Sequence, residues 1–195
     1  LRVMFNDGAG AFDSVVGYPT GNNPSHVAVA DLNGDGYPDV AIGGYGGSGD
    51  EITLHFNNGD GTFADSVLIS LPSRAICIAA ADIDEDGDND LIASQWSESD
   101  SALVVMRNDG SGSFAAPEQY MGAYPQAIKA HDFDKDGHLD LAIGGGHGCI
   151  DIKYNDGSGD FSGPEKITTS NRSIAVECAD LNGDGYPEIA VGNNL

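Results

Sequence analysis

Short apolar blocks recur along this chain with a fixed punctuation between them. Runs rich in Ala, Val and Ile occupy 27–30, 76–81, 128–130 and 174–179, and a second apolar run follows each at 40–42, 91–93, 141–143 and 189–191. Both sets are short and β-branched, which predicts strands rather than helices. A cleaner alternation comes next: Ile52, Leu54 and Phe56 turn one way while Thr53 and His55 turn the other, the period of a strand with two different faces. Leu1-Arg-Val-Met-Phe5 alternates in the same manner. A glycine-rich turn then leads to an aromatic, as in Asn6-Asp-Gly-Ala-Gly-Ala-Phe12, Asn57-Asn-Gly-Asp-Gly-Thr-Phe63, Asn108-Asp-Gly-Ser-Gly-Ser-Phe114 and Asn155-Asp-Gly-Ser-Gly-Asp-Phe161. Asn, Asp and Gly tolerate positive φ, so these are hairpin signals. Each repeat is thus predicted to hold four strands: a and b from the apolar runs, c from the alternating run, and d beginning at the recurring Phe.

Between strands a and b lies an acidic stretch, present four times at 31–39, 82–90, 132–140 and 180–188. The first copy reads Asp31-Leu-Asn-Gly-Asp-Gly-Tyr-Pro-Asp39. Oxygen-bearing side chains stand at positions 1, 3, 5 and 9: Asp31, Asn33, Asp35, Asp39; Asp82, Asp84, Asp86, Asp90; Asp132, Asp134, Asp136, Asp140; and Asp180, Asn182, Asp184, Glu188. Position 6 is always Gly, and the backbone carbonyl of position 7 (Tyr37, Asp88, His138 or Tyr186) can supply a further oxygen. This alternation suits a hard, oxygen-seeking cation, with the glycine permitting the tight turn. An EF-hand is excluded, because position 12 is Ile42, Ala93, Ile143 or Val191 rather than Glu and the flanks read as strand. About four calcium ions, one per loop, are expected. The acidic loops recur at intervals of 51, 50 and 48 residues and the phenylalanines at 51, 51 and 47, so one repeat accounts for the whole chain as a single domain, 1–195.

Charge changes the picture only in part. The formal net charge of −23 is large, but 14 of the 31 acidic residues fall at ligand positions. Nucleic acid is excluded as a partner, since eight Lys and Arg spread along the chain make no basic patch. No apolar run approaches membrane-spanning length. The three cysteines, Cys77, Cys149 and Cys178, lie in or beside apolar strands and read as small buried hydrophobes rather than a disulfide framework.

The Asp-x-Asp-x-Asp-Gly-x-x-Asp loop between an alanine-rich strand and an Ile-Gly-Gly strand resembles the FG-GAP/VCBS repeat, which builds the propellers of integrin α-subunits and of many secreted bacterial proteins and lectins. The resemblance covers essentially the whole chain. It implies an all-β, calcium-bearing β-propeller, extracellular or on the cell surface, that binds a glycan or an extracellular protein. Propellers of this family commonly have about seven blades, against four repeats here, and Glu188 departs from the Asp of the pattern. The first residues form a strand c and the last a strand b, so the termini can share one blade and close a four-bladed ring of four-stranded sheets. The alternative is a run of repeats belonging to a longer array; closure is the expectation.

Topology puts the calcium loops and glycine-rich turns on one rim. The other carries Tyr45, Trp96 and His147 after strand b, and Tyr18, Arg74, Tyr124 and Arg172 before strand a. Aromatic faces beside Arg donors suit a sugar ring and its hydroxyls. No Ser-His-Asp or Cys-His arrangement and no zinc spacing stands out. A non-catalytic binding module is therefore expected, the alternative being a polysaccharide lyase in which His147, Tyr124 and Arg172 act on a uronate. Strand a should line a central channel, where Ala28, Ala79, Lys129 and Glu177 are equivalent and the last two are expected to pair.

Overall fold

The computed structural model describes residues 1–45, 50–96, 102–121, 125–146 and 148–194. Among them are strands and no helix: β1 (Arg2–Phe5), β2 (Ser14–Gly17), β3 (Pro24–Ala30), β4 (Asp39–Gly44), β5 (Glu51–His55), β6 (Val67–Ser70), β7 (Arg74–Ala81), β8 (Asp90–Trp96), β9 (Ala102–Met106), β10 (Glu118–Met121), β11 (Pro125–His131), β12 (Asp140–Gly145), β13 (Cys149–Asn155), β14 (Phe161–Thr168), β15 (Ser173–Ala179) and β16 (Glu188–Asn193). They form antiparallel meanders in which each strand pairs with its sequence neighbour. Three sheets are four-stranded (β3–β6, β7–β10, β11–β14) and two are two-stranded (β1–β2 and β15–β16). The four-strand repeat is therefore real, and we call each complete sheet a blade.

Blades stack face to face, and side-chain parity explains how. In the middle blade Leu91, Ala93, Val104 and Met106 join Leu32, Ala41, Ile52 and Leu54 of the preceding blade. The alternate residues Ile92, Leu103 and Val105 join Ile128, Leu141 and Ile143 of the following one. A strand covered on both faces must be apolar at every position, which is why β9 reads Ala-Leu-Val-Val-Met and is wholly buried. A third cluster, with Ala142, Ile150, Ile152 and Val176, seats β15 on the third blade. The inner strands β3, β7, β11 and β15 are neighbours in that order.

The expected ring is not closed: β1–β2 does not pair with β15–β16. Instead the N-terminal hairpin sits against the first blade, where a preceding blade would stand. Phe5 lies 3.1 Å from a Cβ built on Gly61, as Phe56 crowds Gly112 one blade later. The Tyr18 ring packs edge-on against Phe63, 5.2 Å between centroids. With three blades between them, the two half-sheets lie at opposite ends of the stack. Their faces stay open, so Leu181 is 69% exposed where its counterpart Leu32 is 1% exposed.

Strand d also differs from expectation. Only β14 starts at the recurring Phe (Phe161); β2, β6 and β10 begin later. Phe63 and Phe114 instead form isolated bridges to Asn57 and Asn108, which close the turn before the strand resumes. Phe114 packs on the first interblade core and Phe161 on the second, whereas Phe12 is 55% exposed, with no blade before it.

Ala28, Ala79 and Lys129 line one concave region along the inner strands. Lys129 Nζ lies 2.8 Å from Glu177 Oε1, so the expected pair forms, with both side chains well exposed. Exposed ion pairs are worth about 0.2–1 kcal/mol. A double-mutant cycle on Lys129→Ala and Glu177→Ala, followed by urea denaturation, is expected to give coupling in that range. Coupling above about 2 kcal/mol would mean that the pair is desolvated in solution.

Candidate metal centres and the opposite rim

The acidic loops are built by their own backbone amides. Position 1 accepts from the position 6 glycine in every copy: Gly36 N to Asp31 Oδ2 2.8 Å, Gly87 N to Asp82 Oδ2 3.1 Å, Gly137 N to Asp132 Oδ2 3.1 Å and Gly185 N to Asp180 Oδ2 2.8 Å. Position 5 accepts from the amide two residues on, as from Tyr37 to Asp35 and from His138 to Asp136. These turns curl the chain until the position 1, 3 and 5 side chains converge. In loop 2 the carboxylate oxygens of Asp82, Asp84 and Asp86 lie within 4.8 Å of one another, and in loop 3 those of Asp132, Asp134 and Asp136 do so. The turn also places Glu85 and Lys135, both at position 4, at φ of 61° and 63°, where a side chain costs about 1 kcal/mol or more.

Position 9 has a second role that the sequence reading did not assign. Asp39, Asp90 and Asp140 open β4, β8 and β12 and are fully buried. One oxygen accepts from the position 2 amide of the same loop (Leu32, Ile83, Phe133). The other accepts from the amide of Asn57, Asn108 or Asn155, at the turn after strand c. Each oxygen keeps a second lone pair, so metal ligation stays open to it. Burial pushes Asp90 up to about 6, against the amides of Asn108 and Ile83, with Asp84 and Asp86 adding like charge. Asp39 and Asp140 are raised for the same leading reason.

Two of these asparagines, Asn108 and Asn155, also clamp neighbouring blades, and nothing beyond their turn chemistry had been read from them. Asn108 Nδ2 donates to Leu32 O of the preceding blade (2.8 Å) and to Asn89 O (3.0 Å). Asn155 Nδ2 likewise reaches Ile83 O (2.7 Å) and Leu139 O (3.1 Å). The strict recurrence of Asn immediately after strand c was the available signal. Arg107 was missed as well. It stands where the other repeats carry Phe5, Phe56 and Tyr154, and its Nη1 contacts Asp84 Oδ2 at 3.1 Å and Ser158 O at 2.8 Å.

Side chains at position 7 do not enter the loops. His138 bonds Glu85 of the preceding loop, and Tyr186 takes Lys135 Nζ at 3.9 Å from its ring centroid. Tyr37, Asp88 and His138 also lie against Gly59, Gly110 and Gly157, where any Cβ would collide and φ is positive. Loop 4 is the least enclosed. Glu188 Oε1 turns to Asn182 Nδ2 of its own loop at 2.6 Å, and Oε2 accepts from Leu181 N at 2.7 Å.

Calcium fits these residues on one structural ground. In loop 2, Asp82 Oδ1 and Asp84 Oδ1 are buried without a hydrogen-bond partner, and buried carboxylate oxygens with no donor are costly. A hard divalent cation would satisfy them.

On the opposite rim, Tyr45, Arg74, Trp96 and Arg172 line one cavity of about 590 Å³ with Gln126 and Pro125. Arg74 pairs across the sheet with Trp96, and its guanidinium lies 5.2 Å from the indole centroid. Tyr124 and His147 lie outside the described residues, and Tyr18 packs on Phe63 instead. Among the described histidines, His55 Nε2 is engaged by Pro19 O and His131 Nδ1 by Asp132 O.

Comparison with curated proteins returns no match. Among solved structures, the chain is similar to an Agrocybe aegerita lectin recognising non-reducing terminal N-acetylglucosamine, at 24% identity and TM-score 0.58 over 83% of this chain and 45% of that one. It is also similar to the exotype rhamnogalacturonan lyase YesX, at 14% identity and TM-score 0.58 over 87% of this chain and 38% of the lyase. The Photorhabdus luminescens Tc holotoxin pore aligns at 21% identity and TM-score 0.50 over 84% of this chain and 8% of that one. The chain thus spans less than half the length of each, and the likeness is one of fold. The FG-GAP-like repeat profile matches residues 1–42, 31–93, 86–143 and 132–191, in phase with the four acidic loops, and the chain belongs to that repeat family.

Proposed function

We propose that this domain is a calcium-stabilised, non-catalytic binding module, acting outside the cell, whose rim cavity takes a glycan. The cavity carries the binding half of the reading. Tyr45 and Trp96 offer flat apolar faces beside the donors Arg74, Arg172 and Gln126, the combination that packs on a sugar ring and bonds its hydroxyls. The lectin among the structural neighbours supports this reading. Calcium would be held by positions 1, 3, 5 and 9 with the position 7 carbonyl, and its contribution is structural. It neutralises carboxylates that otherwise repel one another, and so links folding to metal.

A glycan array run with and without chelator tests the binding half. Binding of a defined glycan, weakened at least tenfold by Trp96→Ala, is expected, and failure to bind any glycan on the array sinks the reading.

About four calcium ions per chain are expected by elemental analysis, with affinities of extracellular modules, roughly 10⁻⁴–10⁻³ M. A site filled at a hundred times its Kd adds about 2.7 kcal/mol, so excess chelator should lower the melting temperature by roughly 5–10 °C for each such site. An unchanged melt in chelator contradicts the metal half.

The loops should not be equal. Loops 2 and 3 each offer four carboxylates, while loops 1 and 4 substitute Asn33 and Asn182. In loop 4, Glu188 is further occupied by Asn182 and Leu181. Loop 4 is expected to lose its ion first, so in calcium Asp184→Ala should cost less stability than Asp134→Ala. Equal or reversed costs in urea melts would overturn that ranking.

Asn108→Ala is expected to cost about 1–3 kcal/mol, because it strands two acceptors, Leu32 O and Asn89 O. Asn57→Ala should cost less, since its amide serves only the exposed Pro38 O. Urea melts in saturating calcium separate this clamp from any loss of metal.

A further inference from the structure

We infer that the rim cavity recognises a sugar carboxylate, so that its ligand is an acidic sugar, a uronate, rather than a neutral one. This rests on the reading of the cavity as a glycan site and adds the charge of what it holds.

The chain carries a net charge of −23 and only eight basic residues. Three of those eight pair with acids, and Lys135 and Arg74 each sit over an aromatic ring. Arg107 pairs with Asp84 and Glu118, and Lys129 with Glu177. Lys166 lies 4.0 Å from Asp151, and Lys135 sits over Tyr186. Among the described residues no carboxylate lies within ion-pair distance of Arg74 or Arg172. Arg74 opens β7 and Arg172 immediately precedes β15, distant in sequence, yet they line the same cavity. The described lining contains no Asp or Glu. On a surface this acidic, a pocket with two guanidiniums and no carboxylate among its described lining residues is a local reversal of the field.

Geometry favours a carboxylate over a bare anion. The Arg74 guanidinium rests against the Trp96 ring, which limits its rotamers and leaves its planar edge of N–H donors for a two-oxygen acceptor. Tyr45 and the other exposed aromatic surface stand beside it for a sugar face. The surrounding negative charge, much of it in the acidic loops of the other rim, opposes a long polyanion lying across the domain. A short oligomer or chain end bearing one buried carboxylate is what the cavity fits.

Isothermal titration of the intact chain in saturating calcium tests this with digalacturonic acid, its methyl ester and N-acetylglucosamine, and with sodium acetate as competitor. The free acid is expected to bind at least tenfold more tightly than its methyl ester, which keeps the shape and removes the charge. Arg74→Gln and Arg172→Gln should each erase most of that difference while leaving the melting temperature unchanged, since both side chains are exposed. Equal binding of acid and ester, or binding of N-acetylglucosamine alone, overturns the inference and leaves the glycan site standing. Displacement by millimolar acetate as efficient as by the sugar overturns it as well, showing a bare anion site. Binding of no sugar at all removes the glycan reading, and this inference with it.

Discussion

A buried carboxylate at the last position of the first three acidic loops holds the repeat together. Asp39, Asp90 and Asp140 each join three segments that are remote along the chain: the loop start, the first residue of strand b and the turn after strand c. An unpaired charge at such a site would be prohibitive, so loop and turn must both be formed for either to be stable. In the second and third blades the asparagine that donates its backbone amide to this carboxylate, Asn108 or Asn155, sends its side chain to the preceding blade. One polar node therefore orders a blade internally and sets its register on its neighbour, in a region where the apolar clusters alone would tolerate sliding. In loop 4 the corresponding Glu188 has no turn to meet and bonds its own loop, and β15–β16 is correspondingly open on its outer face.

The nearest-neighbour character of the stack follows. Each interblade cluster draws on two adjacent sheets, so stability is a sum of repeats and interfaces rather than one global core. The central blade has both faces covered, and its strands are buried at consecutive positions. At the ends, chemically similar residues are exposed: Val27 and Val29 at 46% and 60%, Ile174 at 47%. Composition does not differ between middle and ends; only the presence of a neighbour does.

That distinction explains what the sequence made legible. Period, strand order, loop boundaries and the convergence of positions 1, 3 and 5 are local or repetitive properties, and spacing alone carries them. Lys129–Glu177 was reachable too, because equivalent positions in adjacent repeats must be close. Closure was not. Joining Leu195 to Leu1 by phase satisfies the repeat pattern, but whether two half-sheets meet depends on the rotation accumulated across four interfaces, which no local pattern encodes. The later start of β6 and β10 was hidden for a related reason: the Phe bridge to Asn57 or Asn108 is a tertiary feature of the turn. On the far rim, Tyr45, Arg74, Trp96 and Arg172 were chosen by topology and do share a cavity. That Arg74 and Arg172 have no carboxylate at ion-pair distance among the described residues is a tertiary fact that spacing does not carry.

The two rims divide the electrostatics of the domain between them. The loop rim concentrates carboxylates, and at Asp90 burial first and the like charge of Asp84 and Asp86 second raise the carboxyl above its ordinary range. The other rim keeps two guanidiniums with no acidic partner among the described residues. Because the blades between them are apolar, the two charge sets are separated by a low-dielectric layer and do not cancel. Removing calcium would restore negative charge at one rim and deepen the field felt at the other. Screening over a Debye length of about 8 Å at physiological salt limits that effect through solvent, but not through the apolar layer. If the proposed calcium and carboxylate ligands both bind, their affinities are coupled with a fixed sign: each loaded loop would make the arginine rim a better place for a negative charge, and by reciprocity a bound carboxylate would favour loaded loops.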